Sequence, residues 1–449
     1  MSEALLGLLS PPSRPVFEHQ GRVTTAGEML GMTGRILTGL RASGVGPGTG
    51  VAVRLGVHPA AFAALLACFT IGARVVGVRP GLSFDESDFS LSESRLIELL
   101  SHPDQGVSVT ARSSDIARVI LTSGSTGRPK GCLQTYAAMD AAWAPVPSLW
   151  PPAIQALASR LDRFLVFGSL SSQVMWEYAV LTLAAGGTLV TADPPGLPEA
   201  AVRHRATASV ITVGKLHQLV RAAPPPTPLR ALLVSGSPLD PARLASAWEV
   251  LGPIVFHGYG QTETGMISML TPDEPEHVDT VGRPPEVVST SIRDGELYVR
   301  TPAQATGYWN DPAETRAVFA GGWVRTRDLA TQDAQGYLRL NGRTRDVIIV
   351  HATLVYAVPI ERALCAHPSI AEAYVTGAPS DETGEAVHAF VVPSGPSVPP
   401  LPDLRSWVAA RLGDAAAPST VTVIDEVPLT PTGKPDKHAL LGMASSPHR

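Results

Sequence analysis

Cysteine is scarce in this 449-residue chain: Cys68, Cys132 and Cys365 are the only three, odd in number and far apart. That count argues against a disulfide framework or a zinc cluster and suits a reducing compartment. Lysine is scarcer than arginine: it stands only at 130, 215, 434 and 437, so each lysine is a position to examine. There is no excess of positive charge. A net charge of −5 gives no reason to expect nucleic acid or an anionic membrane as partner. There is no long apolar run either. The longest, 60–73, is ended by Arg74, short of the ~20 residues needed to cross a bilayer. "MSEALLGLLSPPSR" has no basic residue ahead of its apolar stretch, which argues against a secretory signal and for the cytoplasm.

What is present is the composition of a globular protein, 44% hydrophobic and 17% charged, with enough length for two or three units. Short apolar segments ("VAVRL", "RVVGV", "RVILTS", "FLVFGS", "GTLVTA", "ASVITV", "RALLVSG", "GPIVFHGYG") alternate with helix-like stretches at 60–71, 175–185 and 241–251. Such alternation predicts layered α/β subdomains with largely parallel sheets. From about Val281 the texture changes to short alternating strands with turns between, "ELYVRTP", "GGWVRTRDLA" and "GYLRLNGRTRDVIIV", a β-rich subdomain. After Arg345 an α+β pattern follows: a helix at 359–366, the strands "AEAYVTG" and "HAFVVP", a Pro-rich linker at 392–402, a helix at 403–412 and a polar tail. The fold class expected is therefore α/β: a large N-terminal domain, 1–344, with a β-rich part, and a small α+β domain, 345–449.

Four segments carry chemistry. "VILTSGSTGRPKG" (119–131) runs from an apolar strand into Ser, Thr and Gly and ends in Lys130. Read as strand, glycine-rich turn and helix, it offers backbone N–H groups, the hydroxyls of Ser123, Ser125 and Thr126, and one mobile cation to a polyphosphate. It is not a Walker A loop, because Lys130 lies between Pro129 and Gly131. "HGYGQTETG" (257–265) combines glycines with an aromatic ring, a hydroxyl and the Glu263 carboxylate. "GGWVRTRDLA" (321–330) and "NGRTRDVII" (341–349) supply Asp328, Arg343 and Arg345. "PLTPTGKPDKHAL" (428–440) carries Lys434.

In that order and spacing these segments resemble the motifs of the adenylate-forming (ANL) superfamily of AMP-binding enzymes: acyl- and aryl-CoA synthetases, peptide adenylation domains and luciferases. The resemblance implies an ATP-dependent ligase using ATP and Mg²⁺. Thr122, Ser123, Gly124, Ser125, Thr126, Gly127 and Lys130 would hold the β- and γ-phosphates. Gly236 and Ser237, in "VSGSPLD", would line the adenine and acyl pocket together with His257, Gly258, Tyr259 and Gly260, the Tyr259 ring stacking on adenine. Thr262 would contact phosphate, and Glu263 would hold Mg²⁺, for which one carboxylate plus phosphate oxygens suffices. Asp328 would accept the ribose hydroxyls, with Arg343 at the ribose or α-phosphate. Arg345 would be the hinge of a mobile C-terminal domain, and Lys434 would sit where charge develops between the acid and the α-phosphate. A carboxylic acid, aromatic acids included, would become an acyl-AMP with release of pyrophosphate and pass to a thiol of coenzyme A or a carrier protein.

The chain also departs from that pattern. Arg327 stands where the family's Trp-x-x-Thr-Gly-Asp-Leu has glycine. His351 and Ala352 occupy, by position, a Gly-Gly turn along which the pantetheine arm passes, where a Cβ or an imidazole would crowd it. His351 reads as an exposed turn histidine or as a base near the acceptor. Around Ser171 only small hydroxyl residues stand where relatives have a bulky His or Phe; Trp176 and Tyr178 fit helix packing or a substrate wall. Two alternatives keep the adenylation without CoA: an amide synthetase with an amine acceptor, or a diazotase that activates nitrite for reaction with an aryl amine. A third, of another class, is an inactive nucleotide-binding regulator, against which Lys130, Glu263, Asp328 and Lys434 all stand.

Overall fold

The computed structural model describes residues 2–78, 87–122, 130–141, 144–170, 172–192, 196–236, 239–344, 346–395, 397–429 and 435–444. Four sheets organise these described residues. The largest has eight strands. Its central strands Val255–Gln261, Ala231–Val234, Ala208–Ile211, Arg163–Leu165, Thr188–Val190 and Pro15–His19 are parallel, and antiparallel strands Gly265–Leu270 and Arg22–Thr25 close its edges. A second, six-stranded sheet has a parallel core of Ile116–Thr122, Arg74–Gly77, Gly50–Arg54 and Phe89–Ser92. The apolar segments read from the sequence are these strands. They are buried on both faces, as parallel strands between helices must be.

Helix Pro59–Ile71 explains the long apolar run: buried at nearly every position, it needs no polar face. Phe62 and Phe69 on it pack against Trp176 of helix Gln173–Ala184, with ring centroids 5.3 and 5.2 Å apart. Trp176 and Tyr178 are both buried, so the core reading of these aromatics holds; Ser171 lies outside the described residues. The apolar N-terminal stretch is a short helix, Ser2–Gly7, with Leu5 in the core. Among the described residues no helix is long and apolar enough to cross a membrane.

The third sheet is antiparallel throughout, built from Ser289–Arg293, Glu296–Arg300, Trp323–Gln332, Phe319–Ala320 and Leu338–Arg343. The fourth contains Thr353–Tyr356, Val347–Val350, Gly384–Pro393, Ile370–Ser380 and Thr420–Val423, with helices Ala357–Cys365 and Leu401–Leu412 packed on it. "GYLRLNGRTRDVIIV" is thus two strands in two sheets, parted at 344–346. The tail is not merely polar. Thr420–Val423 adds a strand parallel to Gly384–Pro393, and a helix, Lys437–Ala444, buries Leu440 against Phe390 and Ile424.

Candidate active site

The phosphate-loop segment is built differently from the expected strand, turn and helix. Thr122 ends strand Ile116–Thr122, and Lys130 begins an antiparallel strand, Lys130–Thr135, with Thr122 and Lys130 in register. Among the described residues the next helix starts at Tyr136. After Lys130 the chain continues as a strand and not as the expected helix. Ser123, Gly124, Ser125, Thr126 and Gly127 lie outside the described residues, as do Ser237, Arg345 and Lys434.

The described site residues converge. "HGYGQTETG" forms a second hairpin, strand Val255–Gln261 turning at Thr262 into Gly265–Leu270, with a bulge at Tyr259/Gly260. Glycine is obligatory at 260: a Cβ there would lie 2.4 Å from the Gly265 carbonyl oxygen. Gly236 follows the neighbouring strand Ala231–Val234 with φ +88° and open space where a side chain would stand. Both segments lie at the carboxyl end of parallel strands, the usual place for ligands in such sheets. His257 is buried, and burial followed by the charge of Arg362 pushes its pKa down to about 4, so it is neutral at pH 7.

Asp328, on the third sheet and only 3% exposed, meets this hairpin. Its Oδ2 accepts bonds from the Tyr259 hydroxyl (2.6 Å) and Gln261 Nε2 (2.6 Å), and its Oδ1 accepts one from Arg343 Nε (2.7 Å). Gln261 also donates to the Thr326 carbonyl at 2.9 Å, which ties the hairpin to the strand that carries Asp328. Burial, with Asp328 alongside, holds the Tyr259 phenol protonated. Burial works against the Arg343 charge, but Asp328 outweighs it and raises the pKa. An ionised carboxylate has about four lone-pair sites, so the ribose hydroxyls expected there would join or displace these donors. Gln261, in the middle of "HGYGQTETG", is a residue that sequence reasoning passed over.

Two further residues went unnoticed. Tyr308 donates its hydroxyl to Glu263 Oε1 at 2.6 Å, and the Ala305 N–H bonds the Glu263 carbonyl at 2.9 Å. Glu314 accepts Lys130 Nζ at 2.7 Å and the forked guanidinium of Arg327 at 2.8 and 3.0 Å. The Arg327 bond, with Lys130 behind it, brings the Glu314 pKa down to about 2. Lys130 also lies 5.5 Å from the Tyr308 ring centroid. Lys130 and Glu263 meet at Tyr308, and Tyr259 and Arg343 meet at Asp328. The two clusters form one polar seam through the backbone, by neighbours Arg327 and Asp328 and by the hairpin that carries Tyr259 and Glu263. Half-buried Thr262 sits at the hairpin turn beside it. A single carboxylate with one oxygen already positioned suits Mg²⁺, which takes its remaining ligands from phosphate and water; among the described residues no donor is bonded to Glu263 Oε2.

Asp346, directly after the expected hinge, takes Lys437 Nζ at 3.2 Å, and Glu361 lies 3.5 Å from the same nitrogen. Burial opposes the Lys437 charge, but Glu361 and Asp346 prevail and raise its pKa. A bridge between Leu429 and Pro435 brackets the segment that carries Lys434. His351 and Ala352 form the tip of the hairpin between Val347–Val350 and Thr353–Tyr356. Both are exposed, with φ of 46° and 62°, a conformation glycine adopts freely.

Residues 9–107 and 98–309 match the AMP-binding enzyme family, and residues 359–434 match the C-terminal domain of AMP-binding enzymes. A feruloyl-CoA synthase from an Amycolatopsis species is 29% identical over 470 residues, covering 94% of each chain. A fatty acid–[acyl-carrier-protein] ligase from Streptomyces coeruleorubidus is 26% identical, over 94% of this chain and 92% of its own. Among solved structures, an amide bond synthetase from Marinactinospora thermotolerans superposes with a TM-score of 0.84 at 30% identity, covering 98% of this chain and 99% of its own. These likenesses run the length of the chain: it belongs to the adenylate-forming superfamily of AMP-binding enzymes and is an ATP-dependent adenylate-forming ligase.

Proposed function

We propose that the enzyme activates a carboxylic acid, aromatic acids included, as its acyl-AMP and passes the acyl group to a thiol of coenzyme A or a carrier protein. A carboxylate oxygen attacks the α-phosphorus of ATP, the bond to the bridging oxygen breaks, and pyrophosphate leaves with that electron pair. The acceptor sulfur then attacks the acyl carbon, and AMP departs as the thiol proton is lost to solvent. The observation that carries this reading is the polar seam joining Lys130, Glu263, Tyr259, Asp328 and Arg343. Asp328 would hold the ribose with Arg343 beside it, and Lys130 and the 122–127 loop the β- and γ-phosphates. Thr262 would contact phosphate, and Gly236, Ser237 and the His257–Gly260 strand would border adenine and acyl group. Glu263 would hold Mg²⁺, which supplies charge neutralisation on the phosphates. The protein's own contribution is positioning and electrostatic preorganisation.

Residues 1–344 would form the adenylation domain and 345–449 a lid pivoting at Arg345, bringing Lys434 to the reacting oxygens. The Lys437–Asp346 pair would anchor the lysine-bearing segment to the first strand after that pivot. Three unpaired thiols suit the cytoplasm.

A second reading, transfer to an amine, is favoured by the His351–Ala352 tip, where an imidazole and a methyl group stand in place of glycines, and by the likeness to the amide bond synthetase. The experiment is pyrophosphate and AMP release with ATP and Mg²⁺ over aryl, alkyl and amino acids and nitrite, each with CoA, a carrier protein, an amine or none. Acid-dependent release that CoA or carrier accelerates supports the thiol reading, and acceleration by amines alone replaces it with the second. Release absent with every acid, or undiminished in Lys434→Ala, would sink the adenylation roles.

A further inference from the structure

Arg327 is the least expected residue in the seam. The family pattern has glycine there, and the backbone keeps the glycine shape, with φ +60°, which an arginine adopts only at a cost in strain. Glycine would fill this turn without strain, so the side chain must contribute something that the turn does not need. What it does is fork onto Glu314: Nη1 to Oε1 at 2.8 Å and Nη2 to Oε2 at 3.0 Å. Lys130 Nζ contacts the same Oε1 at 2.7 Å. Two cations therefore share one carboxylate, but unequally. Arg327 covers both oxygens and Lys130 doubles up on one of them.

Glu314 itself cannot easily leave. It is the third residue of helix Pro312–Val318, its N–H is capped by Asp311 Oδ1 at 3.0 Å, and its side chain is only 18% exposed. If Lys130 were its sole partner, moving the lysine to a phosphate would strand a mostly buried carboxylate beside a polyanion, and the two anions would compete for one cation. With Arg327 forked across both oxygens, the carboxylate stays compensated whichever way Lys130 points.

We propose that Arg327 is a positioning residue that keeps Glu314 neutralised and so releases Lys130 to the β- and γ-phosphates of a nucleoside triphosphate. The inference rests on the reading of Lys130 as a phosphate ligand. Arg327 acts through Glu314 and not by touching nucleotide, so it serves triphosphates and is indifferent to monophosphates.

The test is equilibrium titration of ATP–Mg²⁺ and of AMP into the full chain, carried as wild type, Arg327→Gly, Glu314→Gln and the double variant. Arg327→Gly is expected to weaken ATP roughly tenfold, the scale of leaving one partly buried charged group uncompensated. AMP affinity should stay within about twofold, which also reports that the fold and the Asp328 pocket survive. Removing the anion as well should restore ATP affinity in the double variant. Unchanged ATP affinity in Arg327→Gly, equal losses for ATP and AMP, or a loss that persists in the double variant each overturn the proposal. The last would mean that Arg327 contacts phosphate directly. A wild-type chain that binds neither nucleotide would instead remove the functional reading itself, and this inference with it.

Discussion

The two ends of the polar seam hold a carboxylate by opposite means. At the end proposed for the ribose, Asp328 is almost fully buried and receives two neutral donors, Tyr259 and Gln261, with one cation, Arg343. At the end proposed for the phosphates, Glu314 is partly exposed and receives two cations, Lys130 and Arg327. A buried carboxylate bonded by rigid neutral groups is a fixed template, because every donor belongs to a strand or its neighbour and has nowhere else to go. A carboxylate shared by two flexible cations is a junction that one of them can leave. The difference matches what each end would meet: a ribose that is the same in ATP, acyl-AMP and AMP, and a polyphosphate that is present only before the chemistry.

The most damaging way to break that contrast is Asp328→Asn. The amide keeps the shape but turns one acceptor into a donor that faces Tyr259 or Arg343, and it removes the charge that compensates half-buried Arg343. Losing two hydrogen bonds from ribose to a charged acceptor, at ~1.5 kcal/mol or more each, predicts a loss of roughly hundredfold. Titration should show that loss for ATP and AMP alike, in contrast to the triphosphate-selective loss expected for Arg327→Gly. Retention of AMP affinity would show that Asp328 is a structural anchor and not the ribose acceptor.

Much of this seam was legible because the motifs are local. Glu263, Tyr259, Asp328, Arg343 and Lys130 each sit in a short run whose residue types betray their chemistry. Their partners were not legible, because distant register brings them in. Glu314 is 184 residues from Lys130, and Tyr308 is 45 from Glu263; in the sequence both look like ordinary members of "GYWNDPAETR". The helix expected after the phosphate loop failed for a different reason. Gly131, Cys132 and Gln134 are buried while Lys130 and Leu133 are only half-buried. That strand pattern was overlooked beside a glycine-rich stretch that commonly opens a helix. The C-terminal helix was missed because its apolar residues are few and Leu440 is its one deeply buried anchor among the described residues, with Met443 exposed.

Acidity sharpens the comparison of the two ends. Buried His257, on the ribose-end hairpin, has its pKa lowered to about 4 against an ordinary 6.5, with burial the first cause and Arg362 the second. The unfolded chain therefore binds a proton that the folded chain refuses between those values, so stability is full above about pH 6.5 and falls as pH drops towards 4. At its full extent the loss is about 3 kcal/mol. His257→Gln should flatten that part of the melting-temperature profile. Glu314 behaves differently: with a folded pKa near 2 it contributes stability above its unfolded value of 4.5 and loses that contribution only as pH falls towards 2. Wild type and Glu314→Gln should therefore run parallel from pH 5 to 8 and converge only in strong acid. Parallel profiles for His257→Gln and wild type between pH 4 and 6.5 would show that the histidine is not protected as its burial implies.

The smallest effect belongs to Tyr308, which serves the phosphate end by holding Glu263. Tyr308→Phe keeps the ring beside Lys130 and Phe319 and removes only the hydroxyl that bonds Glu263 Oε1. The carboxylate is then free to rotate, and one hydrogen bond to a charged group, worth ~1.5 kcal/mol, no longer fixes its direction. If Glu263 holds Mg²⁺, the concentration of Mg²⁺ that half-saturates pyrophosphate release should rise by roughly three- to tenfold, with the maximal rate little changed. AMP binding, which needs no metal, should be untouched. A lowered maximal rate at unchanged Mg²⁺ requirement would instead place Tyr308 on the acid's side of the seam. Glu263 would then be a partner of that tyrosine and not the metal ligand.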